Sequence, residues 1–120
     1  MVIVEITRKP GYGAGISEKG PIRRLIVRGH AGYASRGKDI VCAAASVTVY
    51  NAAGGLEKLC GAPGDIAIER DGYYEINVPV FEENDTAYRA DIIMEVAYIG
   101  FKQIESLYPD FLRVSEGNIY

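Results

Sequence analysis

The feature that most restricts the fold is Asp71-Gly72, which separates two strand-like runs, "DIAIER" at 65–70 and "YYEINV" at 73–78. A two-residue connection of this type joins antiparallel strands, so a hairpin is expected. Tyr74, Ile76 and Val78 of its second strand would face the core. Long helical patterns flank the hairpin. Residues 39 to about 59 are rich in alanine, open on Asp39 as an N-cap, and stop before Gly61 and Pro63. Residues 84 to about 107 carry Ile93, Val96, Gly100, Ile104 and Leu107 at helical spacing, and Pro109 ends them. Ahead of both helices, "VIVEIT" (2–7) alternates as a strand, and "IRRLIVRG" (22–29) reads as a second. "FLRV" (111–114) adds a short last one. The order ββαββα(β) predicts an α/β two-layer sandwich, with two helices packed on a mostly antiparallel sheet.

At 120 residues the chain reads as a single domain, 1–120, able to bury a core without a metal or disulfide. Its formal charge of −3 argues against an electrostatically driven nucleic-acid binder. No direct nucleic-acid binding is expected, although Arg23, Arg24, Arg28, Arg36 and Lys38 are available to touch an acidic partner. Neither a run of about 18 apolar residues nor a signal-peptide core is present, so the expectation is a cytoplasmic protein with no membrane contact. The connection 7–21 holds four glycines and two prolines, and reads as a mobile loop. Its "GYGAG" is not followed by a lysine and helix in phosphate-loop order. Most of the nine tyrosines, among them Tyr12, Tyr33, Tyr50, Tyr98 and Tyr108, are expected at the core edge or an interface.

Chemistry concentrates in "GHAGYASRGKDIVCAAAS", residues 29–46, which holds His30, the one histidine, and Cys42, one of two cysteines. With Asp39 as cap, Cys42 is the third helical residue, where free N–H groups and the helix dipole favour negative charge. A thiolate is the nucleophilic form of cysteine, and a nearby imidazole can take its proton. Helix-terminal amides could then stabilise an oxyanion. Asp39, Cys42 and Ser46 follow one another by three and four residues, along one helix face. Taken singly, each has a plainer reading. Cys42 would be a buried core residue, His30 a surface residue, Asp39 a cap, and Ser46 a bond to the carbonyl one turn back.

Other site types fit poorly. One His and two distant Cys do not make a structural zinc site, and no C-x-x-C motif is present. No metal or cofactor is expected. On one helix, Cys42 and Cys60 would lie roughly 27 Å apart, far beyond disulfide reach.

The segment 29–46 resembles the G-H-A…G-x-D-I-V-C-A-A…S signature of the bacterial ribosomal-processing cysteine proteases, the Prp family. The likeness extends more weakly to "MVIVEI", "GLEKL" and "GFKQIESLYPDFLRV". It implies a homodimeric cysteine protease of α/β fold. The substrate it implies is protein twenty-seven of the large ribosomal subunit, made with a short N-terminal extension that ends in bulky apolar residues. By position, Cys42 matches the nucleophile and His30 its base, while Gly29, Asp39 and Ser46 match the rest of the motif. Ala31, Gly32, Tyr33, Ala34, Ser35, Arg36, Gly37 and Lys38 match a mobile loop over the substrate cleft. Two features depart from the family pattern: the connection 7–21 is longer and richer in glycine, and Cys60 lies outside the signature.

The sequence thus reads as a thiol endopeptidase (a hydrolase of ribosome biogenesis) with a Cys42–His30 dyad; Asp39 caps the helix, and both readings of it, third member of the site or cap alone, stay open. The competing reading is a non-catalytic, ribosome-associated binding module on the same fold. Loss of His30 or Cys42 would have favoured it, and both are present.

Overall fold

Alternation sets the first strand. In β1 (Val2–Arg8), Val2, Val4, Ile6 and Arg8 are buried and the residues between them are not. The computed structural model describes residues 1–11 and 16–119. The expected mobile loop and Tyr12 fall partly or wholly on 12–15, outside the described residues. β2 (Ile22–Arg28) returns antiparallel to β1, with Ile3 opposite Arg28. α1 (Ile40–Cys60) follows, then the hairpin of β3 (Ala67–Arg70) and β4 (Tyr73–Asn77). α2 (Asn84–Leu107) and β5 (Leu112–Asn118) complete the order. The sheet runs β3-β4-β2-β1-β5. Its neighbours are antiparallel except β1 and β5, which are parallel, with Val2 opposite Leu112. Two helices on this sheet form the expected two-layer sandwich, which is open. At the hairpin, Arg70 pairs with Tyr73 and Gly72 takes the left-handed φ of 68°.

α1 buries Val41, Ala45, Val49, Ala52 and Leu56, spaced by three and four residues. By length and composition alone it could pass for a membrane span, at mean hydropathy 1.2. Its buried stripe instead belongs to the protein core. Gly61 ends the helix in the left-handed conformation, its N–H bonded to the Leu56 carbonyl.

The stripe on α2 differs from the one expected. Ala90, Met94, Ala97 and Phe101 are buried, whereas Val96 and Leu107 are 60% and 74% exposed. Ile93 and Ile104 are half-buried against the core. Both stripes have helical spacing, and the apolar outer one masks the alanine-rich inner one. Ile93 lies against Gly55 of α1, where a Cβ would come 3.2 Å from its Cγ2, so the missing side chain lets the helices close. Phe101 is fully buried, and its loss would cost about 3–5 kcal/mol.

Boundaries also move: Gly64–Ile66 forms a 3-10 turn, so β3 starts at Ala67 rather than Asp65, and β4 ends at Asn77. Arg8, expected in the loop, is the last residue of β1 and is 2% exposed. Its guanidinium grips Glu95 with two nitrogens, at 2.6 and 3.1 Å. It also donates to Glu116 at 3.2 Å and to the Gly20 carbonyl at 2.9 Å. Without such partners a buried charge would not be tolerated. β5 runs to Asn118 rather than 114, because it pairs along all of β1 while its outer half carries polar residues.

Candidate active site

β2 delivers the chain to Gly29 and His30. Gly29 has φ 89°, and a Cβ there would meet the Met1 carbonyl oxygen at 2.5 Å, so this position requires glycine. Its N–H bonds to the Gly72 carbonyl at 2.8 Å, and the Met1 nitrogen donates to the His30 carbonyl at 2.6 Å. The histidine backbone is thereby held between the start of β1 and the hairpin turn. Its imidazole lies over Gly72, with Nε2 3.0 Å from where a Cβ would stand.

Cys42 comes from the first turn of α1. Its Sγ accepts the Ala31 N–H at 3.3 Å. The helix begins there because Asp39 caps it: Oδ1 accepts from Val41 and Cys42, both at 3.0 Å. Oδ2 accepts from Tyr33 at 2.9 Å and Ala34 at 3.3 Å. The Cys42 N–H above all, with those of Ala34, Tyr33 and Val41, outweighs desolvation and holds the Asp39 carboxyl below the usual carboxylate range. These bonds all go to backbone and none to His30. Asp39 is a cap and a loop clamp rather than an orienter of the imidazole.

His30, Cys42, Gly29 and Ser46 line one cleft of about 150 Å³ between α1 and strands β2–β4. Thr48, not Ser46, bonds the carbonyl one turn back, at 2.7 Å to Ala44. Sequence reasoning missed Tyr50, farther along α1, and the opposite wall from the hairpin, which includes Glu69, Gly72 and Tyr74. Tyr50 donates to Glu69 at 2.5 Å, and its ring meets Tyr74 edge-on at 5.4 Å. The signal for Tyr50 was its position two helical turns beyond Cys42.

The segment 31–38 starts buried at Ala31 and then turns outward. Gly32 and Gly37 have φ of 70° and 84°. Tyr33 packs edge-on against Tyr108 and Phe111, at 5.5 and 5.1 Å. The cleft lining includes none of Gly32, Tyr33, Ala34, Ser35, Arg36, Gly37 or Lys38. The loop expected over the cleft is seated here against the α2–β5 junction, by the Asp39 clamp and two aromatic rings. Cys60 closes the other end of α1. Burial pushes its thiol up, against a smaller opposing effect of Arg89. Both cysteines are free. Among the described residues, no three of His, Cys, Asp and Glu come together as a metal-binding group.

A thiol on a helix start that shares a cleft with the one imidazole is an arrangement for covalent catalysis. The family model described as "Cysteine protease Prp" matches residues 14–113. The chain belongs to the Prp cysteine protease family. A Bacillus subtilis relative, named ribosomal processing cysteine protease Prp, is 31% identical over 88 residues, covering 72% of this chain and 79% of its own. The Staphylococcus aureus (strain Mu50) Prp is 26% identical over 115 residues, covering 96% and 98%. The crystal structure of S. aureus Prp with a covalently linked product peptide superposes with a TM-score of 0.77 at 26% identity, covering 97% of this chain and 99% of that one. A Streptococcus mutans structure reaches 0.71 at 25% identity, covering 99% and 96%. As a member of the Prp family the chain is a cysteine protease with the Prp fold.

Proposed function

We propose that this protease removes the N-terminal extension of protein twenty-seven of the large ribosomal subunit, with Cys42 as nucleophile and His30 as general base and then acid. The observation that carries this reading is that the single histidine and one of the two cysteines line the same cleft. The names of the relatives support a ribosomal substrate. The apolar residues of the cleft, Val2, Val27, Val49 and Tyr74, suit a bulky apolar side chain.

His30 takes the Cys42 thiol proton, and the thiolate attacks the scissile carbonyl carbon, forming the C–S bond and an oxyanion. The helix-start N–H groups of Val41 and Cys42 are taken by Asp39, so the donor at hand for that oxyanion is the Ala31 N–H, already aimed at the sulfur. Collapse breaks the C–N bond as His30 protonates the leaving amine. Water, deprotonated by His30, adds to the thioester carbon; the C–S bond breaks, the new carboxyl end leaves, and the proton returns to the Cys42 sulfur. The loop 31–38 would leave its seat on Tyr108 and Phe111 to cover a bound peptide.

The protein works in the cytosol as a homodimer. Supporting this, Ile92, Val96, Ile99 and Leu107 form an exposed apolar seam on α2. The seam continues into a groove lined by Ala43, Val47, Gly100 and Leu107. The test of the function is incubation with peptides spanning the extension, read by mass spectrometry. Cleavage at one bond by the wild type and none by Cys42→Ala is expected. An intact peptide under all conditions would favour the non-catalytic binding module.

A further inference from the structure

The cleft holds one polar pair that the cleavage steps do not use, Tyr50 and Glu69. Tyr50 stands two turns beyond Cys42 on α1, roughly 12 Å along the helix axis. Glu69 belongs to β3, the strand at one edge of the sheet. The register fixes the side to which it points. Glu69 lies opposite Tyr74, Tyr74 opposite Val27, and Val27 opposite Val4, which is fully buried. Residues in such a cross-strand row project to one face, so Glu69 ends a row that faces the helices. The next row, Arg28, Tyr73 and Arg70, projects the other way.

Tyr50 and Glu69 thus meet from the two sides of the cleft, and the phenol donates to Glu69 Oε1 at 2.5 Å. The Tyr50 ring also meets Tyr74 edge-on, so packing aims the hydroxyl as well as its acceptor does. The bond to Glu69, and burial after it, push the phenol above the ordinary tyrosine range. It therefore remains a donor at neutral pH.

The hairpin that carries Glu69 also supports the base. Its Gly72 carbonyl accepts the Gly29 N–H at 2.8 Å, and Gly72 lies against the His30 imidazole. Glu69 is one short strand end from that turn, and Tyr50 shares a continuous helix with the thiol. We propose that the Tyr50–Glu69 bond is a clasp that sets the hairpin turn, and through it the His30 imidazole, relative to the Cys42 thiol. Both are positioning residues, acting through Gly72 and α1. The proposal rests on the reading of Cys42 and His30 as the reacting pair. A misplacement of about 1 Å between reacting groups can cost about a hundredfold in rate. Tyr50 is 47% exposed, and a polar pair so near the surface contributes little to folding. Such a clasp governs rate far more than stability, which separates it from an ordinary packing contact.

The test has two arms, and the first involves no cleavage. Amide hydrogen exchange at Gly29, whose N–H bonds to the turn, is followed by NMR in the full chain and in three variants. Tyr50→Phe keeps the ring and removes only the hydroxyl, Glu69→Ala removes the acceptor, and Glu69→Gln retains one. Exchange at Gly29 should quicken at least about fivefold in Tyr50→Phe and Glu69→Ala, and Glu69→Gln should recover most of the protection. Unchanged exchange in Tyr50→Phe would overturn the clasp. The second arm reads kcat and KM on a cleavable peptide beside thermal melts. Tyr50→Phe and Glu69→Ala should each lower kcat about fivefold, with KM held within about twofold. Both should melt within about 2 °C of the wild type. The double variant should be no slower than either single one, because the same bond is lost only once. Additive losses, a raised KM at unchanged kcat, or fast Gly29 exchange with normal kcat would overturn the positioning role. An active Cys42→Ala would sink the catalytic reading and that role with it, while the first arm still decides whether the clasp holds the turn.

Discussion

The Ala31 N–H donates to the Cys42 sulfur at 3.3 Å, so the residue after His30 is fastened to the first turn of α1. One hydrogen bond thus couples the segment after β2 that carries the base to the helix that carries the thiol. Cys42→Ala and Cys42→Ser should each lose cleavage by on the order of a thousandfold or more while melting near the wild type. Cys60→Ser should leave the rate within about twofold, since its thiol is held protonated at the far end of α1. Mass spectrometry of a peptide digest, paired with a thermal melt, separates these outcomes. A fully active Cys42→Ser would refute the assignment.

Gly72 supports the imidazole from below. An alanine there would adopt φ near 68° at a cost of about 1–2 kcal/mol, and would press on His30 Nε2 from 3.0 Å. Gly72→Ala should therefore lower kcat about tenfold or more, beyond what its modest loss of stability explains. Gly64→Ala is the control, because nothing lies within 4 Å of that Cβ position and its φ is not positive. Equal kcat in both variants would mean the turn does not position the histidine.

Two carboxylates should titrate with opposite effects on stability. The folded Asp39 carboxyl lies below its unfolded value, so its contribution is present above the unfolded pKa and lost as pH falls through the folded one. Asp39→Ala should thus melt lower than the wild type at neutral pH, with the gap closing in acid. For Asp91, desolvation raises the folded value. Its protonated form is the one the fold prefers, so stability is lost as pH rises through the folded pKa. Asp91→Asn should melt higher than the wild type at neutral pH and lose that advantage on acidification. Melts taken from pH 7 downward test both, and gaps that stay constant with pH would contradict the two assignments.

Arg8→Ala should cost about 3–5 kcal/mol, because Glu95 would be left charged and largely buried. Arg8→Lys should fall between, since an ammonium cannot match the two-nitrogen grip on Glu95. Urea denaturation measures both, and a loss under about 1 kcal/mol for Arg8→Ala would show the network to be replaceable.

The outer seam of α2 gives a test of association. Val96→Glu or Ile99→Glu places a charge on an exposed apolar surface, and should convert a dimer to a monomer by light scattering while leaving the fold intact. A wild type that is already monomeric at micromolar concentration would remove the basis for the dimer.

Much of this architecture is legible in the sequence because local chemistry decides it. The Asp71-Gly72 turn, the Asp39 cap and the Gly61 stop each act within a few residues of themselves. Where tertiary contacts decide, the sequence is ambiguous. Ala90, Met94, Ala97 and Phe101 make a weaker apolar stripe than Ile93, Val96 and Leu107, yet they face the sheet. Arg8 reads as a loop residue because its burial depends on Glu95 and Glu116, far along the chain. His30 and Cys42 stand out by rarity and spacing. Glu69 and Tyr74, contributed by a different hairpin, carry no such mark.

The parallel pairing of β1 with β5 bears on how the protease is made. Val2 meets Leu112 in that ladder, and its N–H bonds to the Phe111 carbonyl at 2.9 Å. Contacts between such distant parts of a chain form late, because closing so large a loop comes before any reward from the contact. Phe111 also seats Tyr33, and the start of β1 also holds Gly29 and His30. On the ribosome, a growing chain could complete its first hairpin and α1 yet remain without a finished cleft until residues 108–112 emerged. Newly made enzyme would in this way gain its activity only once that segment is free to pair with β1.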